Sequence, residues 1–182
     1  MDFDNITLAG VPDFDSMFQI PDFHSSERAC HALYSLISWV SNRKGSRVFI
    51  QTFNTSNFVL ESFVNSSYDD FYRQELENRR ELFYPPFSNI INIIVSGRDP
   101  EAAREDIYRL HCEISKIGSV EFFLLGPSPA PYYKINLFYR WHIIIKTSDI
   151  MRFNVRLFKI IRNFKKNEGS KIITDVDPVW IL

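Results

Sequence analysis

The stretch from Ile90 to Glu101, IINIIVSGRDPE, decides how the second half of the chain folds. Ile90 to Val95 is a short run rich in β-branched residues, which is the composition of a buried strand. Asp99-Pro100-Glu101 opens a helix, with a proline suited to its first turn and acids where the helix dipole favours them. The predicted helix runs to about Lys116. Further on, Val120 to Leu125 reads as a strand, Gly126 to Pro131 (GPSPAP) as a loop, and Phe138 to Lys146 as a strand. Ser148 or Asp149 caps a helix reaching about Lys166, and Lys171 to Val176 is a last strand. The order β-α-β-β-α-β predicts a split βαβ, ferredoxin-like sandwich of four strands with two helices on one face.

Before Ile90 the pattern changes. Ile6 to Val11 (ITLAGV) is a strand, and Asp13 and Asp15 follow in a turn-like setting with Pro12. Pro21-Asp22-Phe23 breaks the chain, and Ser25 or Ser26 is placed to cap a helix. Ala29, Leu33, Leu36, Ile37 and Val40 give that helix one apolar face. Asn42 to Ser46 ends it, and Val48 to Ile50 is a second strand. Strand, helix, strand is a βαβ unit, which normally sits in a larger parallel sheet. A short helix follows from about Asn57 to Val64. Tyr68 to Leu82 is a longer, mostly polar helix, with Phe71, Tyr72, Leu76 and, more weakly, Arg79 and Leu82 marking its packed side. Tyr84-Pro85-Pro86-Phe87 stops it and marks a domain boundary. The fold class expected is therefore α/β followed by α+β.

Composition narrows the function. Of 182 residues, 45% are apolar and 15% aromatic, enough to build a core and to exclude wholesale disorder. No apolar run approaches the roughly 18 residues of a membrane span, and MDFDNITLAG does not read as a secretory signal, so a cytoplasmic protein is expected. Cys30 and Cys112 offer neither a disulfide framework nor a Cys-x-x-Cys zinc site, and a buried, reduced pair is expected. No G-x-x-x-x-G-K-[ST] loop is present, which argues against a self-sufficient ATPase. His24, His31, His111 and His142 share no spacing. The pairs Asp13/Asp15 and Asp175/Asp177 suit turns better than a metal. No catalytic residue, metal or cofactor is expected.

Charge is uneven along the chain. Residues 1–131 hold 11 Lys/Arg against 18 Asp/Glu, and residues 132–182 hold 10 against 4, so a balance of −7 precedes one of +6. A basic closing segment suggests a polyanionic partner, nucleic acid first; the plainer alternative is a solvated helix face. In the last helix Ile150, Phe153, Leu157, Ile160, Ile161 and Phe164 form the packed stripe. Arg152, Arg156, Lys159 and Lys166 recur on the other side with Arg162 and Lys165 nearby, and cations about one turn apart, roughly 5–6 Å, reach successive phosphates. In the strand Phe138-Tyr139-Arg140-Trp141-His142, Tyr139 and Trp141 share one face and Arg140 takes the other. Tyr139 and Trp141 are either a stacking platform for unpaired bases or core beneath the helices. Lys134 and Arg140 are candidate DNA contacts in both cases.

Several blocks together resemble the C-terminal part of the PriA family of replication-restart helicases (primosomal protein N′). They are MDFDNITLAGVPDFDS at Met1 to Ser16, PDFHSSERA at Pro21 to Ala29, and YDDFYRQELENRRELFYPPFS at Tyr68 to Ser88. They continue with LGPSPAP at Leu125 to Pro131, YRWHIIIK at Tyr139 to Lys146, and the ending DVDP at Asp175 to Pro178. The resemblance implies a remnant of the second, RecA-like helicase lobe over residues 1–66. It also implies a linker helix and Pro-Pro turn over 67–85, and a ribosomal-protein-like, DNA-binding C-terminal domain over 86–182. It implies a bacterial protein acting in replication restart and primosome assembly. The implied partners are single-stranded or forked DNA, the single-strand binding protein and other primosome proteins, with no membrane. The family's first helicase lobe, phosphate loop, acid box and zinc-cluster cysteines have no counterpart here. Its arginine-finger motif, aligned on Tyr34 to Ser41, lacks Gly-Arg, and only Arg43-Lys44 lie near. In the last helix the family's basic and amide positions fall near Ile150, Arg152 and Asn154, and Arg152 keeps the charge. The expectation is a shortened chain that binds DNA without its own ATPase motor. The alternatives are one piece of a split helicase serving a separate motor chain, a decayed remnant, or an RNA-binding structural protein.

Overall fold

The computed structural model describes residues 6–20, 22–40, 45–118 and 120–181. They form two compact units, one ending at Asn78 and the other beginning at Arg79. Sheets and helices are mixed throughout, as the sequence predicts.

In the first unit β1 (Leu8–Val11) and β2 (Arg47–Ile50) pair in parallel, with Leu8 opposite Arg47 and Val11 opposite Ile50. Between them runs α1 (Ser25–Trp39). Its buried residues Ala29, Cys30 and Leu33 pack with Phe14, with Val59, Leu60 and Phe63 of α2 (Phe58–Val64), and with Phe71 of α3 (Tyr68–Glu81). Asn57 caps α2, its side chain accepting the Val59 N–H at 3.0 Å. Ser25 is the first residue of α1 and not its cap: its hydroxyl donates to the Ile20 carbonyl, and the Asp22 carboxylate accepts the His24 N–H and pairs with Arg28. The expected packed side of α3 is rotated. Phe71 and Glu75 are buried, whereas Tyr72 and Leu82 are exposed, because the face at i and i+4 from Phe71 meets the core. Asn42, Arg43 and Lys44, read as a helix end and as the nearest basic pair to the arginine motif, lie outside the described residues.

The second unit holds β3 (Asn89–Gly97), α4 (Pro100–Ile114), β4 (Phe122–Ile135), β5 (Phe138–Thr147), α5 (Ile150–Asn163) and β6 (Lys171–Val176). The sheet order is β4-β5-β3-β6 with every pair antiparallel, the order a split βαβ requires. One sheet face sends Ile91, Ile93, Val95, Ile143 and Ile145 against Ala103, Ile107, Leu110 and Ile114 of α4 and Phe153 and Leu157 of α5. Each of the larger side chains, Ala103 excepted, contributes about 1.5–3 kcal/mol on burial. The caps are those the sequence implies: Asp99 accepts the Glu101 N–H at 2.9 Å, and Asp149 accepts the Arg152 N–H at 3.1 Å.

GPSPAP is not a loop. It lies inside β4, where the ladder to β5 shifts register between Leu125 and Ser128 and again between Pro129 and Lys134. Pro127 and Pro131 fall within these shifts, Pro129 pairs with Trp141, and β4 is an edge strand, where prolines are tolerated. At Gly126 (φ +98°) a side chain would stand 2.9 Å from the His142 carbonyl oxygen, so this bulge requires glycine. β4 and β5 join through Asn136 and Leu137, both at positive φ (49° and 67°), as a tight two-residue hairpin turn demands. The loop after α5 is fixed by the fully buried Asp106 carboxylate. It accepts the Asn167 N–H at 2.9 Å and pairs with Arg109, whose guanidinium also donates to the Lys165 carbonyl.

Candidate nucleic-acid interface

β5 distributes the candidate residues by parity. Its odd positions face the helices, so Trp141 packs on the helix-side core with its ring 6.3 Å from that of Tyr108. Its indole N–H is buried and has no hydrogen-bond partner among the described residues. Tyr139 lies nearer the hairpin. Its ring is 5.4 Å from that of Tyr133, and the Lys134 ammonium stands 4.7 Å from its centroid and donates to its hydroxyl at 3.1 Å. Lys134, Tyr139 and the exposed Tyr132 and Tyr133 therefore form one aromatic and cationic hairpin surface.

The even positions Phe138, Arg140, His142 and Lys146 take the opposite sheet face. Arg140 donates to the Tyr132 carbonyl at 3.4 Å, which ties it to the same hairpin. Burial draws its pKa downward from the guanidinium value, yet a guanidinium keeps its charge at neutral pH. Arg140 and Lys171 both stand opposite Ser96, one on each side of β3, about 10 Å apart by strand spacing. Lys146 does not reach solvent: its ammonium lies 3.4 Å from the centroid of Tyr84 and donates to the Leu82 carbonyl at 2.7 Å. Burial lowers its pKa. That lysine holds the Tyr-Pro-Pro-Phe turn against the sheet.

On α5, Arg152, Arg156 and Lys159 form an exposed line on the outer face. Arg152 pairs with Asp149 at 3.4 Å, and Arg156 donates to the Gly118 carbonyl at 2.8 Å. Beside that line runs a second one that the sequence reading missed: Met151, Val155 and Phe158 are 77%, 59% and 65% exposed, and Arg162 ends the row. Helical spacing of apolar residues had pointed only to the buried stripe. The structure thus sorts the candidates into two sets, Lys134, Tyr139 and Arg140 around the hairpin, and Arg152, Arg156 and Lys159 on the helix layer. Trp141 links the first set to the core: half-buried beneath α4, its ring also meets that of Tyr133 edge-on at 6.0 Å. The sequence reading also passed over Tyr132, Tyr133, Arg98 and Phe138; the adjacency of two tyrosines to Lys134 was the available signal.

Three of the four paired acids make hydrogen bonds. Asp13 accepts the Ser16 N–H, Asp15 accepts from Thr52 and the Phe53 N–H, and Asp177 accepts from Asn89 and the Ile90 N–H. Cys30 is buried, and burial raises its pKa, but Cys112 is exposed, which corrects the expectation of a buried pair: it lies on the outward side of α4. Among the described residues no helix is long and apolar enough to cross a membrane.

A family model described as the primosomal protein N C-terminal domain matches residues 80–179. Three relatives carry the name replication restart protein PriA. That of Bacillus subtilis is 29% identical over 190 residues, covering 100% of this chain and 23% of its own length. That of Thermotoga maritima is 31% identical over 173 residues, covering 95% and 22%. That of Borreliella burgdorferi is 32% identical over 181 residues, covering 99% and 27%. The chain therefore spans about a quarter of the length of the curated relatives it matches. A de novo designed protein, Foldit4, aligns over 49% of the chain with 21% identity and a TM-score of 0.37, too distant to bear on the fold.

Proposed function

The chain belongs to the family of the primosomal protein N C-terminal domain, and from that premise we propose that it binds DNA in replication restart and primosome assembly. The observation that carries this reading is the hairpin surface. Lys134 supplies a cation beside Tyr133 and Tyr139, the combination that holds a phosphate backbone next to exposed bases, and Arg140 adds a second cation at the same hairpin from the opposite sheet face. The α5 line of Arg152, Arg156 and Lys159 adds phosphate contacts from the helix layer, which favours a branched or forked partner that presents two strands. Such contacts position the protein and read no sequence. Partners of the same reading are the single-strand binding protein and other primosome proteins, and the setting is cytoplasmic.

Fluorescence anisotropy with a forked oligonucleotide at low and moderate salt tests this. Affinity is expected to fall steeply with salt, and Arg140→Ala with Arg152→Ala is expected to weaken binding about equally for all sequences. Unchanged affinity in the double variant, with circular dichroism showing it folded, would remove these residues from the interface.

A second reading rests on the first unit. β1 and β2 are a two-stranded parallel sheet, and such a pair normally sits within a wider one. In this reading residues 1–66 are part of a RecA-like lobe, 67–85 the linker helix and turn, and 86–182 the DNA-binding domain. A separate chain then supplies the neighbouring strands and the phosphate loop. Co-purification of such a chain, with restored ATP hydrolysis, is its test.

A further inference from the structure

The end of the second unit's sheet holds a cleft of about 450 Å3 that none of the contacts above uses. It lies between the end of β3, the first turn of α4, the start of β5 and the loop before β6. Its lining includes Gly97, Arg98, Phe138, Glu168, Ser170 and Lys171. That volume falls in the usual range for small-molecule sites, roughly 300–1,000 Å3.

Its floor is unusual. Ser170 is 1% exposed, and its hydroxyl has no hydrogen-bond partner among the described residues. Leaving such a group unpaired is costly, so a buried free hydroxyl on a cleft wall calls for something to bond it. Gly97 borders this hydroxyl: a Cβ there would stand in ordinary contact with it, at 3.6 Å, and with the Asp99 carbonyl oxygen and Ala103 Cβ, each at 3.4 Å. At the rim, the Arg98 guanidinium and the Lys171 ammonium lie 5.6 and 5.3 Å from the centroid of the Phe138 ring.

These groups select their ligand by chemistry. A bare phosphate fits poorly. The Asp99 carboxylate lies in the lining and already accepts the N–H groups of Glu101 and Ala102, so the helix end is taken, and Glu168 adds a second acid. What remains is a pair of cations for a phosphate, an aromatic ring for a flat partner, a carboxylate to accept an amino group, and a hydroxyl that both donates and accepts. We infer that this cleft takes one unpaired nucleotide of a DNA strand, with Arg98 and Lys171 on its phosphate, Phe138 against its base, and Glu168 and Ser170 on the base edge. Only an unpaired base exposes that edge. Cytosine, which carries an amino group, is preferred over thymine, which has none. The inference rests on the DNA-binding reading above, and the cleft adjoins that surface because Lys171 and Arg140 flank the same residue, Ser96.

The test uses the full chain and anisotropy at fixed low salt, comparing a blunt duplex with the same duplex carrying a short tail of deoxycytidines or of thymidines. The deoxycytidine tail should raise affinity about tenfold over blunt DNA, the scale of one stacked base, and the thymidine tail by less. Ser170→Ala should lower the tailed-to-blunt ratio severalfold, leaving the part that the Phe138 ring supplies. Glu168→Ala, in an exposed loop where folding is not at stake, should erase the cytosine preference. Equal binding of blunt and tailed DNA by the unaltered chain, or a ratio that survives both substitutions, overturns the cleft while leaving the DNA-binding reading intact. Failure to bind any of the three DNAs overturns that reading as well.

Discussion

His142 and Asp106 show what single buried polar groups do in this unit. The His142 ring is buried, and its Nδ1 has no hydrogen-bond partner among the described residues. Burial first, and the charge of Arg140 second, draw its pKa below the usual imidazole value. The unfolded chain therefore takes up a proton at a higher pH than the folded one. Stability contributed by the neutral ring is present above about pH 6.5 and is lost as pH falls toward the lower, folded pKa. Urea midpoints should be lower at about pH 5.5 than at about pH 7.5, and His142→Gln should flatten that difference; equal slopes in the two proteins would assign the effect elsewhere. Asp106→Ala removes the acceptor of the Asn167 N–H and should cost about 1–3 kcal/mol in urea denaturation. Because the same loop carries Glu168 and Ser170, that variant should also lose any preference for tailed DNA.

At the scale of elements, α5 presents its cations in a line, so they act by number more than by position. Replacing Arg152, Arg156 and Lys159 together with Gln should reduce the slope of log affinity against log salt by up to about 0.9 per lost duplex phosphate contact. An unchanged slope would show that the line faces solvent in the complex. This helix was plain from the sequence because an apolar stripe at helical spacing and a capping Asp149 agree. β6 was read to its ends. β4 was not, since proline signals a break and only the pairing partner shows that the strand runs on through two register shifts. Parity placed Arg140 opposite Trp141, but no local pattern told which face the helices cover; that depends on β3, whose Ile91, Ile93 and Val95 commit the sheet. The cleft was illegible for a similar reason. Gly97, Phe138 and Ser170 are distant in sequence and meet only through the register of β3 with β5 and β6.

Across the whole molecule, the two units are held together internally by different means. The second has a four-stranded sheet with a core on its helix side, whereas the first has a two-stranded parallel pair with Leu8 and Phe49 exposed. Native-state hydrogen exchange should find the amides of Ile93 and Ile143 far slower than those of Ala9 and Val48, by about 100-fold or more if the units open independently. Similar protection in both would mean that they unfold as one. The central position of β3 also bears on synthesis. It lies between β5 and β6, and the Asp177 carboxylate accepts the N–H of Ile90. A ribosome that has reached Glu168 has long since released β3 but not the strand that closes its far side. Until β6 emerges, that isoleucine-rich edge stays bare beside every other nascent copy on the same messenger, so a stop codon before Lys171 is expected to yield aggregate in place of a shorter soluble product.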